Sequence, residues 1–198
     1  LGFTDRGRGG EFMTTFSERS LPIEKVPPVL TQHVNNLQVA GVDTAFHRYM
    51  SHSTLACDFY WGRFYADLFN NTAAPRRDIE VIRLRLAAQS GCSFCRAHGV
   101  VSALACNISQ ETIDSLFELS REPFEIGTLR KHDQILAALA DSISPFTPIF
   151  PMGTALRESL TGMYTDEELA EVLMITGVLA GIGAMLVAAG FVPFECEL

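Results

Sequence analysis

Val172 to Val192 is a run of 21 residues without a charge, and it constrains the fold more than any other stretch of the chain. A helix of that length and character either crosses a bilayer or is covered by other elements. Gly177 and Gly181 form a GxxxG pair, which suits close helix approach in either setting. Glu171 and Glu195 flank the run, no Lys or Arg follows it to set an orientation, and its glycines lower its hydrophobicity. The expectation is therefore a helix buried on all sides, partly between subunits, and no membrane partner. Thr165 and Glu168 at its start have the spacing of a capping box.

A chain of 198 residues is long enough for one good-sized core and short for two. Its 47% apolar and 19% charged residues place it at the apolar end of globular chains, which again favours subunit contacts. A formal charge of -8 with no basic run leaves no footprint for nucleic acid or an anionic membrane surface. Five cysteines, three of them far apart at Cys57, Cys106 and Cys196, do not make a secreted disulfide framework. With no secretory signal visible, the expected location is cytoplasmic. Residues 1–12, Gly- and Arg-rich and ending in Glu11-Phe12 before Met13, read as a cloning remnant. Residues 13–29, with Pro22, Pro27 and Pro28, read as an extended arm, and residues 30–198 as a single helical domain.

Within that domain the apolar spacing is helical and strand-like alternation is nearly absent, so the fold class is all-α. The block "DFYWGRFYADLF", Asp58 to Phe69, reads as a core helix packing Phe59, Phe64 and Phe69, in preference to an aromatic ligand pocket. Pro75 opens a helix that Gly91 closes. The next runs from Cys92 to Cys106 and stops at Asn107, and Ser109 caps another through about Ser120. Thr128 to Ser142 is amphipathic, with Ile135, Leu136 and Leu139 on one face. "SISPFTPIFPMG" is a loop, and a helix from Thr154 to Met163 precedes the long apolar one.

The chemistry concentrates in "SGCSFCRAHGV", Ser90 to Val100. Covalent haem attachment needs a histidine directly after the second cysteine, and Arg96 stands there. A structural zinc site draws on two ligand pairs, and Cys92/Cys95 is the one CxxC, so no metal is expected. On a helix, positions 92, 95 and 98 share one broad face. His98 can then take a proton from Cys95, leaving a thiolate that attacks, while Cys92 is close enough to resolve the product as a disulfide. The amide groups of a helix N-terminus further favour a thiolate there. A carboxylate to orient His98 is offered by Glu80, which a helical wheel places on an apolar arc beside Leu84 and Ala87, opposite Arg85 and Gln89. The competing reading of Glu80 is an i,i+3 ion pair to Arg83.

A Glu, eleven residues, then CxxC and a nearby His between helices resembles the AhpD-like alkylhydroperoxidase branch of the carboxymuconolactone decarboxylase superfamily. The match spans about Pro75 to Leu119, including "ACNISQETI". It departs in its CxxCxxH spacing, where the best-known member has CxxCxxxH, and in Phe94, where that member has a second histidine between the cysteines. The resemblance implies an AhpD-like helical bundle that assembles as a homotrimer or homohexamer. It implies a peroxidase that reduces organic hydroperoxides through a dithiol/disulfide cycle, with no bound cofactor. A dithiol or lipoyl-type protein would recharge it. The implied roles are Cys95 attacking, Cys92 resolving and more exposed, His98 as base and Glu80 orienting it. The alternative is a non-redox lyase or isomerase of the same superfamily acting on a small acid or lactone.

Overall fold

Prolines, glycines and small polar caps cut the chain into helices at the places the local chemistry dictates. A computed structural model describes residues 16, 18–39, 41, 43–119, 122–146 and 152–191, and among these the chain is all-helical with no strand. In chain order the helices are α1 (Pro28–Val39), α2 (Ala45–Met50), α3 (Thr54–Cys57), which runs straight into a π-helix (Asp58–Phe69), α4 (Arg76–Ser90) and α5 (Ser93–Ala105). After these come α6 (Gln110–Leu116), α7 (Lys131–Ile143), α8 (Thr154–Met163) and α9 (Asp166–Ala188). Residues 1–12 and Cys196 lie outside the described residues. The end of the expected arm is not extended: Ile23–Lys25 is a 3-10 turn and α1 already begins at Pro28.

The expected stop and start signals act where they stand. Gly91 takes the left-handed conformation (φ 61°) that ends α4, and Asn107 does the same after α5 (φ 59°). Ser109 accepts the Thr112 amide at the start of α6, which ends at Leu116, short of the expected Ser120. At α9 the capping box is complete: Thr165 Oγ1 accepts from the Glu168 amide, and Glu168 Oε2 accepts from the Thr165 amide at 2.8 Å.

Helix α4 is the axis of the fold, packed against α5, α6, α7 and α9. Ile79, Ile82 and Leu84 are fully buried, each contributing about 1.5–3 kcal/mol of transfer free energy. Three of its charged residues, Asp78, Glu80 and Arg85, are buried as well; Glu80 is held within the helix, and the others are answered by neighbouring elements. Arg85, 2% exposed, forks onto Asp141 of α7 at 2.8 and 2.9 Å and also donates to the Leu116 and Glu118 carbonyls. The face carrying Arg85 and Gln89 is thus opposite Glu80 as expected, but it meets α7, where Gln89 also bonds Asp141. Arg77 forks onto Asp133 of α7, and Asp78 accepts from Tyr164 at 2.7 Å and pairs with His132 at 2.9 Å. On α7, Ile135, Leu136 and Leu139 form the expected buried face.

One packing expectation fails. The aromatic segment buries Tyr60, Phe64 and Phe69, while Phe59 is 58% exposed. Tyr60 and Phe64, four residues apart, lie on the packed face, and Phe59 stands beside it in solvent. Within the single chain, helix α9 is buried on one side, and the other is the side left for the expected subunit contacts. Val172, Ile175, Leu179 and Leu186 pack inward, but Met174, Gly177, Gly181 and Met185 form an exposed stripe along the other side. Nothing lies within 4 Å of where a Cβ on Gly177 or Gly181 would be; the glycine in close approach is Gly183, which faces the Ser90 hydroxyl at 3.4 Å. The helix is long and apolar enough to cross a membrane, with a mean hydropathy of 2.0 over its most apolar window.

Arg85 is buried and its guanidinium serves Asp141 and two backbone carbonyls at once, so Arg85→Met is expected to cost about 3 kcal/mol. The expected readout is a lower urea midpoint at unchanged slope, whereas Arg63→Met, at an exposed pair with Asp67, should shift it by less than about 0.5 kcal/mol.

Candidate active site

Cys92 is the N-cap of α5, and its sulfur accepts the Cys95 amide at 3.1 Å. Its extended backbone (φ -78°, ψ 97°) comes directly after left-handed Gly91, so the α4–α5 turn presents the sulfur to the first turn of α5. Cys92 and Cys95 stand as a disulfide pair with Cα atoms 5.2 Å apart. One expectation is reversed here. Cys92 is 1% exposed, and Cys95 is the more open of the two, because capping α5 turns the Cys92 side chain back into the protein. The cysteine outside the motif but near it, Cys57, keeps a free thiol that burial pushes up in pKa, which makes it a poor nucleophile.

Cys95 and His98 share the face of α5 that opens on a cavity of about 510 Å³. One turn on from Cys95 and next to His98, α5 meets α4 at Gly99, where a Cβ would fall 2.9 Å from Leu84 Cδ2. Only glycine permits that approach without displacing Leu84, and it draws His98 down beside Arg83: the Arg83 guanidinium donates to the His98 carbonyl at 3.2 Å. The π-helix walls the cavity with Trp61 and Tyr65, α9 with Leu179 and Leu186, and α1 and α2 bring His33 and His47. The aromatic block therefore both packs the core and lines a ligand-sized space.

Glu80 is fully buried and reaches His98 only through Arg83. Its Oε1 accepts from Arg76 at 2.9 Å, and its Oε2 lies 2.6 Å from the Arg83 guanidinium, so the i,i+3 ion pair is present. The structure thus brings Cys92, Cys95 and His98 together through α5 and places Arg83 between His98 and Glu80. A carboxylate in that position holds the guanidinium, and the guanidinium holds the backbone of the histidine.

Sequence reasoning missed His47. It is 2% exposed, its ring stacks on Trp61 at 4.7 Å, and it stands 5.3 Å from Phe94 and 6.2 Å from His98. It supplies from α2 a second imidazole near the cysteines, where the family resemblance placed one within the CxxC itself. No local signal marks it, since "AFHRYM" is an ordinary amphipathic turn. Burial, reinforced by His33 and His98, pushes the His47 pKa down to about 3. Burial and the Arg83 charge push His98 down to about 4. Both rings are neutral near pH 7, and neither His47 Nδ1 nor His98 Nε2 has a hydrogen-bond partner. A neutral imidazole with a free nitrogen can accept or relay a proton beside Cys95.

No protein-family model matches the chain, and a search of curated proteins returns no relative. Among the described residues no group of three or more His, Cys, Asp or Glu is placed to hold a metal ion.

Both depressed histidines make the folded state sensitive to acid. An unfolded chain takes up protons on His47 and His98 near 6.5 and the folded chain only near 3 and 4, so stability falls as pH drops through that window. His98→Phe is expected to flatten the slope of unfolding free energy between pH 6.5 and 4, measured by urea titration at fixed ionic strength. An unchanged slope would mean that His98 is already charged in the folded protein.

Proposed function

We propose that the protein is a thiol-dependent peroxidase that reduces organic hydroperoxides through Cys92 and Cys95. The observation that supports this best is the Cys92–Cys95 pair at disulfide distance, with Cys95 and the unpaired, neutral His98 lining the same cavity. The all-helical order and the spacing of Glu80, Cys92, Cys95 and His98 support an AhpD-like bundle. The uncharged exposed stripe of α9 is the surface on which a trimer or hexamer would close.

In the proposed cycle the Cys95 thiolate attacks the terminal oxygen of ROOH. The O–O bond breaks, the sulfur is oxidised to sulfenic acid, and RO⁻ leaves and takes a proton relayed by His98 to become ROH. The Cys92 thiol then condenses with the sulfenic acid, releasing water and forming the disulfide. An external dithiol returns both cysteines to thiols by exchange and is itself oxidised to a disulfide. Cys95 carries the more open sulfur, so it is the atom an incoming reductant reaches first. Cys92 would leave as a thiolate held by the Cys95 amide and the start of α5. Glu80 is a positioning residue in this scheme: it fixes Arg83, which fixes His98.

The test is to treat reduced protein with cumene hydroperoxide and separately with hydrogen peroxide, then to map thiols and disulfides by mass spectrometry. Prompt formation of the Cys92–Cys95 disulfide with consumption of peroxide is expected. Cys92→Ser should stop at a Cys95 sulfenic acid that a dimedone-type reagent captures, and Cys95→Ser should consume no peroxide. Unchanged thiols with peroxide unconsumed overturn the proposal, and sulfenic acid appearing on Cys92 in Cys95→Ser reverses the two roles.

A further inference from the structure

Unpaired buried polar atoms cluster around the cavity. His47 Nδ1, Trp61 Nε1, Arg83 Nε and His98 Nε2 are all buried without a hydrogen-bond partner, and all four residues line it. Leaving such a group unpaired costs about 1–3 kcal/mol, so four around one space point to a guest that supplies the missing partners. Two of the four, the indole N–H and the guanidinium N–H, can only donate. The guest must therefore bring acceptors.

The charge balance of the wall points the same way. Arg76 and Arg83 both line the cavity and share a single carboxylate, the fully buried Glu80. Two guanidiniums against one carboxylate leave one positive charge uncompensated; Arg76 is 38% exposed, while Arg83, at 11%, is the one largely withdrawn from water. The histidines add none, since burial keeps them neutral, and the lining carboxylate Asp58 is exposed to solvent. Around this positive end the lining is apolar: Tyr65, Phe94, Leu179, Ile182 and Leu186. A volume of about 510 Å³ accommodates a body of aryl-alkyl or medium-chain alkyl size.

We propose that the cavity binds a monocarboxylate with an apolar body, the carboxylate completing the Arg83 and Trp61 donors and the body lying against the aromatic and aliphatic wall. Side-chain adjustments of the kind common on binding bring the donor atoms to the ligand. On the peroxidase reading, the substrate is then the hydroperoxide of an apolar carboxylic acid, and the inference rests on that reading for the peroxide group alone.

Trp61 is the chain's single tryptophan and lines the cavity, so its fluorescence reports occupancy directly. The experiment titrates the oxidised full-length protein at pH 7.5 with three probes of one body, 4-phenylbutanoate, 4-phenylbutan-1-ol and 4-phenylbutylamine, none of them a peroxide. Calorimetry is run in parallel. The acid is expected to bind at least about tenfold more tightly than the alcohol, equivalent to about 1.4 kcal/mol, and the amine most weakly. Arg83→Met should bring the acid and alcohol affinities within about twofold of each other. The wild-type ranking decides the matter should that variant not fold. Alcohol binding as tightly as acid, amine binding most tightly, or no binding of the acid by either method overturns the proposal. Peroxide consumption is assayed separately on the same preparation. Acid binding without turnover would sink the peroxidase reading alone, and turnover without preference for the acid would sink the carboxylate alone.

Discussion

Glu80 is a carboxylate with no exposed surface on the central helix of the fold, and two guanidiniums hold it there. Withdrawing a charge from water costs several kcal/mol even after relaxation, so a buried carboxylate persists only where its partners are fixed. Arg83 is fixed in turn by the His98 carbonyl, and Arg76 by the Phe69 carbonyl and the Asn70 side chain. One carboxylate thereby ties the end of the aromatic π-helix to the helix that carries the cysteines. The same logic repeats around α4: Asp141 answers Arg85, Asp133 answers Arg77, and Tyr164 and His132 answer Asp78. Apolar contacts supply the bulk of the favourable energy, but they tolerate sliding. The charged pairs do not, and they select one register of α4 against its neighbours.

That register matters because the site has no single origin in the chain. Cys95 and His98 come from α5, Arg83 from α4, Trp61 from the π-helix and His47 from α2. Gly99 lets α5 lie against Leu84 next to His98, whose carbonyl takes the Arg83 guanidinium. A Cβ at position 99 would meet Leu84 Cδ2 at 2.9 Å, so a side chain there requires Leu84 to move beside the His98–Arg83 contact. Packing at a residue that does no chemistry thus sets the geometry of two that are proposed to.

Local chemistry was legible in the sequence and long-range packing was not. Gly91, Asn107, Ser109 and the Thr165–Glu168 box mark their helix ends because each acts within a few residues of itself. The cysteine and histidine spacing was legible for the same reason. Phe59 was misplaced because Phe59 and Tyr60 are adjacent rings of similar size, and nothing in a run of aromatics says which of the two turns inward. The exposure order of the cysteines was reversed because capping geometry, not spacing, decides which sulfur turns inward. The stripe of α9 was unreadable for another reason: an uncharged helix with small residues all round carries no periodic signal to separate its inner face from its outer one.

The histidines show why a site can be chemically poised and still silent in the sequence. A histidine is useful near neutral pH as a proton acceptor only if it is uncharged there, and an isolated one is already partly charged at pH 6.5. Burial among rings and beside Arg83 removes that charge from His47 and His98. The Arg83 charge, which adds to burial in lowering the His98 pKa, also favours an anion nearby, whether the proposed Cys95 thiolate or a ligand carboxylate. In the proposed cycle a weaker base beside a better-stabilised thiolate is a consistent pairing, with the Arg83 charge assisting the imidazole. Arg83 consequently links three things that the sequence kept apart: the buried carboxylate of Glu80, the protonation state of His98, and the sign of charge the cavity accepts.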